Sequence, residues 1–173
     1  MLYKFDGKKP VIGKDSYVSE LAILIGDVII GNNCYIGHGT ILRGDYGKII
    51  IGDGTAVEEG AVLHAPPNET NQIGKKVTIG HNATIHGKYI GDMAVIGMGS
   101  VVSIRSEIGE WAIIGEGSVV KLRQIIPPKV VVVGNPPQIV REISLKDKKL
   151  WTMGKQLYID LAKKYLEKGM ELL

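Results

Sequence analysis

Aliphatic residues return at every sixth position along most of this chain. Ile12, Val18, Leu24, Ile30, Ile36 and Leu42 form a first run, Ile51, Val57 and Leu63 a second, and Ile73, Ile79 and Ile85 a third; a fourth runs from Ile90 through Ile96, Val102, Ile108, Ile114, Val120 and Ile126 to Val132. Glycine follows many of them, as at Gly13, Gly31, Gly80 and Gly97. Neither the 3.6-residue period of a helix nor the 2.0-residue period of a strand produces this spacing. It predicts a mainly β fold, a left-handed parallel β-helix in which three hexads make one triangular coil, each turning one aliphatic inward.

The rhythm breaks in three places, and a break is where a loop is expected to leave the coil. Leu42 to Ile51 is a step of nine, with RGDYGKII carrying the extra residues; Leu63 to Ile73 is a step of ten, with APPNETNQ as the excursion; Ile85 to Ile90 is a step of five, a shortened corner at Gly87. After Val132, Pro136 and Pro137 cannot donate ladder hydrogen bonds and are expected to end the sheet. Ser144 with Asp147 three residues on signals a helix start, and Leu150, Leu157, Leu161 and Tyr165 then recur at helical spacing to about Lys168. Gly154 weakens that helix by roughly 1 kcal/mol relative to alanine, enough to split it into two pieces. The division expected is a β-helix over residues 1–138 and a helical segment over 139–173 that packs on its flank.

Composition narrows the class. With 45% hydrophobic and 23% charged residues, and no apolar run near eighteen residues, no membrane span is expected. The opening MLYKFDGKKPVIG lacks the pattern of a signal peptide, and the expected compartment is the cytoplasm. The lone Cys34 reads as a small buried hydrophobe. A net charge of +3 gives no footprint for nucleic acid, and the seven lysines from Lys146 to Lys168 read as a solvated face. Twenty-three glycines against one phenylalanine suit a fold with many tight corners.

Three of the four histidines, His64, His81 and His86, fall around the breaks. Counting hexads from Ile12 puts Leu42, Leu63 and Ile85 on one face, so Arg43, His64 and His86, which follow them, form a column one strand spacing apart, ~4.8 Å. His64 and His86 thus suit one metal. His81 falls on a second face with His38 and Glu59, and it joins the pair only if a neighbouring copy packs alongside in a closed threefold assembly. Three neutral imidazoles on Zn2+ leave a position for water whose pKa falls to about 7, a hydroxide nucleophile. Arg43 and Asp45 lie beside His64, and Glu58 and Glu59 on the preceding hexad. An Arg43 to Glu59 pair across the subunit boundary would orient the site, and a carboxylate there could move protons. Glu69, in the excursion, could reach the mouth of the site. His38 reads as an interface or supporting residue.

LRGD at 42–45, VLHA at 62–65, VTIGHNATIHG at 77–87, IGMGSVV at 96–102 and IPPKVVVVGNPPQIVREI at 126–143 make the chain resemble the γ-class carbonic anhydrases and their hexapeptide-repeat relatives, including proteins labelled ferripyochelin-binding. The resemblance implies a homotrimer with zinc, or iron or cobalt in some members, held by the matches to His64 and His86 of one subunit and His81 of the next. It also implies an interface salt-bridge network through the positions of Arg43, Asp45 and Glu59. This chain departs from the family pattern at Glu58-Glu59, where Gln-Asp is usual. It departs again at Pro67, where the archetypal enzymes carry a longer acidic loop, and at Lys88, where a cysteine is common.

The function expected is reversible hydration of CO2 to bicarbonate, a metal-dependent lyase reaction at trimer interfaces, with Arg43, Asp45, Glu58 and Glu59 around the metal-bound water. The alternatives are a hexapeptide acyltransferase using acyl-CoA, and a trimeric metal-binding protein without hydration activity.

Overall fold

The expected columns form. In a computed structural model describing residues 1–172, parallel pairing sets Leu24, Leu42, Leu63, Ile85, Val102 and Val120 in one register, strand upon strand. Ile30, Ile51, Ile73, Ile90, Ile108 and Ile126 make the second column, and Val18, Ile36, Val57, Ile79, Ile96, Ile114 and Val132 the third. The three columns meet inside a left-handed parallel β-helix as one core, in which Cys34 is also buried. Each such aliphatic contributes about 1.5–3 kcal/mol by leaving water. Corners are tight enough to dictate residue type at Gly80, next to His81: a Cβ there would lie 2.8 Å from the Met98 backbone nitrogen of the following coil.

The breaks behave differently from one another. The nine-residue step opens no loop. Strand Ile41–Ile51 runs on through it, pairing with Ile23–Ile30 and absorbing the extra residues in a register shift between Gly26 and Val28. Alternation changes phase there: Leu42 and Gly44 are buried, then Gly47, Ile49 and Ile51, a step of three between Gly44 and Gly47. The ten-residue step does leave the coil, turning at Pro67 and Asn68 and returning as strand Thr70–Ile73. The five-residue step is a shortened corner, where a Cβ on Gly87 would meet Val102 at 2.9 Å. Pro136 and Pro137 end the parallel coils but not the sheet: Pro137–Glu142 comes back antiparallel against Val130–Gly134. Proline is tolerated there because it is the first residue of an edge strand.

Helix α1, Leu145–Lys168, starts at a capping box in which the Ser144 hydroxyl accepts from the Asp147 N–H and the Asp147 carboxylate accepts from the Ser144 N–H. It runs unbroken through Gly154. Its packed face keeps only Leu161 and Tyr165 of the stripe expected. Leu150 and Leu157 are 56% and 63% exposed, and Leu161 is only partly buried, while Trp151, Lys155, Tyr158, Ala162 and Tyr165 turn to the solenoid. The flank they cover consists of outward side chains, Tyr17, Tyr35, Ala56 and Thr78, and aromatic rings match it: Tyr165 stacks on Tyr17 at 4.5 Å and Tyr158 meets Tyr35 at 5.2 Å. Lys155 corrects the reading of the lysines as a solvated face, because it is 2% exposed and its amine is hydrogen bonded. No helix among the described residues is long and apolar enough to cross a membrane.

Burial pushes the Lys155 amine down to about 7, with the Glu58 charge opposing part of the fall. The unfolded chain keeps this proton up to about pH 10, so across the window above pH 7 it binds more protons than the folded protein, and stability rises with pH. Thermal melts of Lys155→Met should lack the rise that wild type shows from about pH 7 to pH 9, the other titrating groups being common to both. At the acid end of that window the variant should be as stable as wild type or more so, since an apolar side chain replaces a buried amine.

Candidate functional site

Register builds the first cluster. Arg43 pairs with His64, and Leu63 with Ile85, so His86 falls one coil beyond His64 on the same edge. The imidazoles lie 4.7 Å apart, with His64 Nδ1 3.2 Å from His86 Nε2. Burial lowers the pKa of both, and the Arg43 charge lowers it further, so both rings are held neutral. Asn71, buried at the return of the excursion, donates to the carbonyls of His64 at 3.4 Å and Ile85 at 3.3 Å, which fixes the backbone beneath the pair. Arg43 is bound to Asp45 at 2.7 Å. Burial alone would raise the Asp45 carboxyl, but the hydrogen bonds from Arg43 and the Tyr46 N–H outweigh it and leave it below its usual range. His64 Nε2 is buried without a hydrogen-bond partner, since Asp45 Oδ1 at 3.6 Å is too far to make one.

The second cluster sits on another face. The Glu58 N–H donates to the Ile79 carbonyl at 2.9 Å and the Asn82 N–H to the Glu59 carbonyl at 3.0 Å, which sets both glutamates beside the corner that carries His81. His81 Nδ1 lies 2.9 Å from Glu59 and Nε2 3.2 Å from Glu58. The Tyr35 hydroxyl donates to the other oxygen of Glu59 at 2.6 Å. Burial pushes Glu59 up, yet hydrogen bonds from Tyr35 and its own N–H, with the His81 charge, bring it below the ordinary value. Glu58 is the reverse: burial raises it, and neither Tyr158 nor His81 cancels the effect. Tyr35 is driven far up by burial and by the carboxylate it serves. A groove of about 420 Å³ opens here, walled by Glu58, His81, Gly97, Met98, Gly115 and Trp151.

The seven site residues expected from sequence are therefore sorted into two groups within one chain: Arg43, Asp45, His64 and His86 in the first, and Glu58, Glu59 and His81 in the second. The partner of Arg43 in the chain is Asp45, and Glu59 is taken by Tyr35 and His81. His38 bonds the Ser19 hydroxyl at 2.6 Å and the Tyr165 hydroxyl at 3.3 Å, a supporting place under α1. Glu69 is bound to Arg105 at 2.7 Å. Sequence reasoning missed Tyr35, Trp151, Lys155 and Tyr158. The signal for the helical three was available, since positions 151, 155, 158, 162 and 165 form a stripe as regular as the leucine one. Tyr17 and Tyr35, one coil apart in sequence, marked the flank to receive it.

The bacterial transferase hexapeptide family matches residues 9–44, and the hexapeptide repeat of succinyl-transferase matches residues 71–103. A carbonic anhydrase of Geobacillus kaustophilus is 35% identical over 165 residues, 95% of this chain and 91% of that protein. The carnitine operon protein CaiE of Citrobacter koseri is 36% identical over 160 residues, 92% of this chain and 81% of its own. Among solved structures, a hexapeptide transferase family protein from Anaplasma phagocytophilum superposes with a TM-score of 0.90 at 31% identity, covering 95% of this chain and 98% of that one. An N-acyltransferase of Bacillus cereus solved with coenzyme A, 19% identical with a TM-score of 0.57, shares the fold alone. The chain belongs to the hexapeptide-repeat family, whose members include transferases and carbonic anhydrase-like proteins.

These findings correct the expectation of a zinc-dependent carbonic anhydrase acting as a lyase. One relative bears that name, but both family matches and the whole-chain structural match describe transferases. Among the described residues of the single chain, no group of three or more His, Cys, Asp or Glu is placed to hold a metal ion. Within the chain His81 lies against Glu58 and Glu59, on a different face from His64 and His86. Acyl transfer is the chemistry these findings favour.

The Tyr35 to Glu59 bond should be worth about 1–2 kcal/mol, as a hydrogen bond to a charged group that is partly exposed. Tyr35→Phe should lose that much in urea unfolding at neutral pH. The loss should shrink as pH falls through the depressed Glu59 value, where the carboxylate becomes protonated and its bond from Tyr35 weakens.

Proposed function

We propose that this chain is an acyltransferase that takes an acyl group from a coenzyme A thioester and passes it to a small hydroxyl or amine acceptor, with His81 as general base. The observation that carries this reading is the place of His81, an imidazole braced by carboxylates in the wall of a groove. Glu59, ionised and fixed by Tyr35, accepts the Nδ1–H and sets the tautomer. Nε2 then keeps its lone pair on the side of Glu58, which lines the same groove. An acceptor placed there attacks the thioester carbonyl and gives its proton to Nε2. The carbon–sulfur bond breaks, and the departing thiolate takes that proton back. Gly97 and Gly115 line the groove, and Met98 and Trp151 give it apolar walls for an extended thioester arm. The transferase descriptions of the family matches and of the whole-chain structural relative support the same chemistry.

Calorimetric titration with acetyl-CoA, followed by thiol-release assays against a panel of small amines and alcohols, tests the reading. His81→Asn should keep thioester binding and lower transfer by about 10²–10⁴-fold. A protein that binds no coenzyme A thioester but hydrates CO2 when loaded with metal would sink it.

A second reading is favoured by the His64–His86 pair. Two nitrogens about 2.0–2.1 Å from one tetrahedral ion lie roughly 3.3 Å apart, and the facing nitrogens of this pair, His64 Nδ1 and His86 Nε2, on neutral rings and 3.2 Å apart, fit a divalent transition metal. The third ligand in this reading is the partner subunit's His81, in a homotrimer. Such an ion supplies a Lewis acid for a carbonyl or a water, and Arg43 with Asp45 orients what binds beside it. Cobalt titration with its visible spectrum separates the two readings. His64→Ala and His86→Ala should abolish the cobalt bands, and His81→Asn should abolish them only if the site is shared between copies. A monomer in sedimentation that still binds cobalt tightly would end the shared-site reading.

A further inference from the structure

Helix α1 brings to the His81 face a buried amine that neither reading uses. Lys155 Nζ donates to the Thr78 hydroxyl at 3.0 Å and to the Ala94 carbonyl at 3.1 Å. The same carbonyl accepts the Thr78 N–H at 3.1 Å, so the amine clamps both sides of one rung between successive coils. That rung lies three residues before His81. One corner further on, the His81 carbonyl accepts from the Gly99 N–H at 2.8 Å, in the coil that Ala94 opens. Glu58 is tied to the same strand through the Ile79 carbonyl. On α1 itself, Trp151 lies one turn before Lys155, with the amine 5.7 Å from its ring centre, and walls the groove, while Tyr158 lies one turn after and reaches Glu58.

An amine in such a place is costly. Lysine is almost never fully buried, and a buried cation or amine is tolerated only where it is hydrogen bonded. An apolar side chain of the same length would fill the space and dock the helix without that cost. What the apolar side chain would not do is reach Thr78 and Ala94.

We propose that Lys155 is a positioning residue for His81. By tying helix α1 to the rung that precedes His81, it makes the seat of the imidazole between Glu58 and Glu59 depend on a docked helix. The role rests on His81 as the working base, but it is read without any activity, so the two can fail separately. In metal-free full-length protein labelled in its histidines, the four ring resonances are assigned and followed at one fixed pH. Lys155→Met should shift the His81 ring resonances and leave those of His38, which bonds Tyr165 near the other end of α1, where they are. Thr78→Val, which removes the hydroxyl that accepts from Lys155, should shift His81 in the same way, and Thr78→Ser should restore it. Lys164→Met, on the exposed side of the helix, should move nothing. Unmoved His81 resonances in Lys155→Met and Thr78→Val would overturn the role. Joint movement of His81 and His38 would also overturn it, by showing that the helix had come off the solenoid and that Lys155 serves only its docking. Should Lys155→Met fail to fold, the Thr78→Val and Thr78→Ser pair decides alone.

Discussion

Coils of this solenoid can stack only if each passes the next at the spacing of a backbone hydrogen bond, and the three inward columns of aliphatic residues hold that register over the whole prism. A slip of one residue would turn every core side chain outward. The same register carries the chemistry. His64 and His86 are neighbours because Leu63 and Ile85 are, and their ring separation of 4.7 Å is close to the rung spacing itself. His81 meets Glu58 and Glu59 because strand Thr78–Ile79 lies on strand Ala56–Val57. Gly80 lets the following coil pass close beneath His81, where any larger residue would push the two apart.

One ring chemistry is thereby given two environments. Beside Arg43 and away from water, His64 and His86 are kept neutral, and a neutral imidazole is either a ligand or an acceptor. Between two glutamates, His81 is oriented by carboxylates, one held ionised by Tyr35 and the other raised by burial. Pushing neighbouring titratable groups in opposite directions is how one fold prepares distinct roles for similar side chains. Here the separation follows from which face of the prism each histidine occupies.

Helix α1 belongs to this arrangement more closely than a cover would. Its packed face puts Trp151 in the groove wall, Lys155 on the rung before His81, Tyr158 at Glu58 and Tyr165 at His38. The aromatic shelf of Tyr17 and Tyr35 fixes where the helix lies, and Tyr35 also holds Glu59. Docking and the carboxylate network thus share a residue.

Sequence by itself determined the solenoid, because period six over many repeats has one compact solution, and it determined the column of Arg43, His64 and His86, because counting hexads is counting coils. It also located the capping box, a local device read from Ser144 and Asp147 alone. Only the tertiary structure decided the rest. The nine-residue step became continuous strand because Ile49–Ile51 found partners in Val28–Ile30, which no local signal records. The helix packs Trp151, Lys155 and Tyr158 in place of Leu150 and Leu157 because the flank beneath offers tyrosine rings, a hydroxyl and a carbonyl, and helical periodicity marks both stripes equally. His81 turned to Glu58 and Glu59 because these carboxylates sit one coil away, within reach of both ring nitrogens. Repeats fix where a side chain starts, while the groups it meets across the coil fix where it ends.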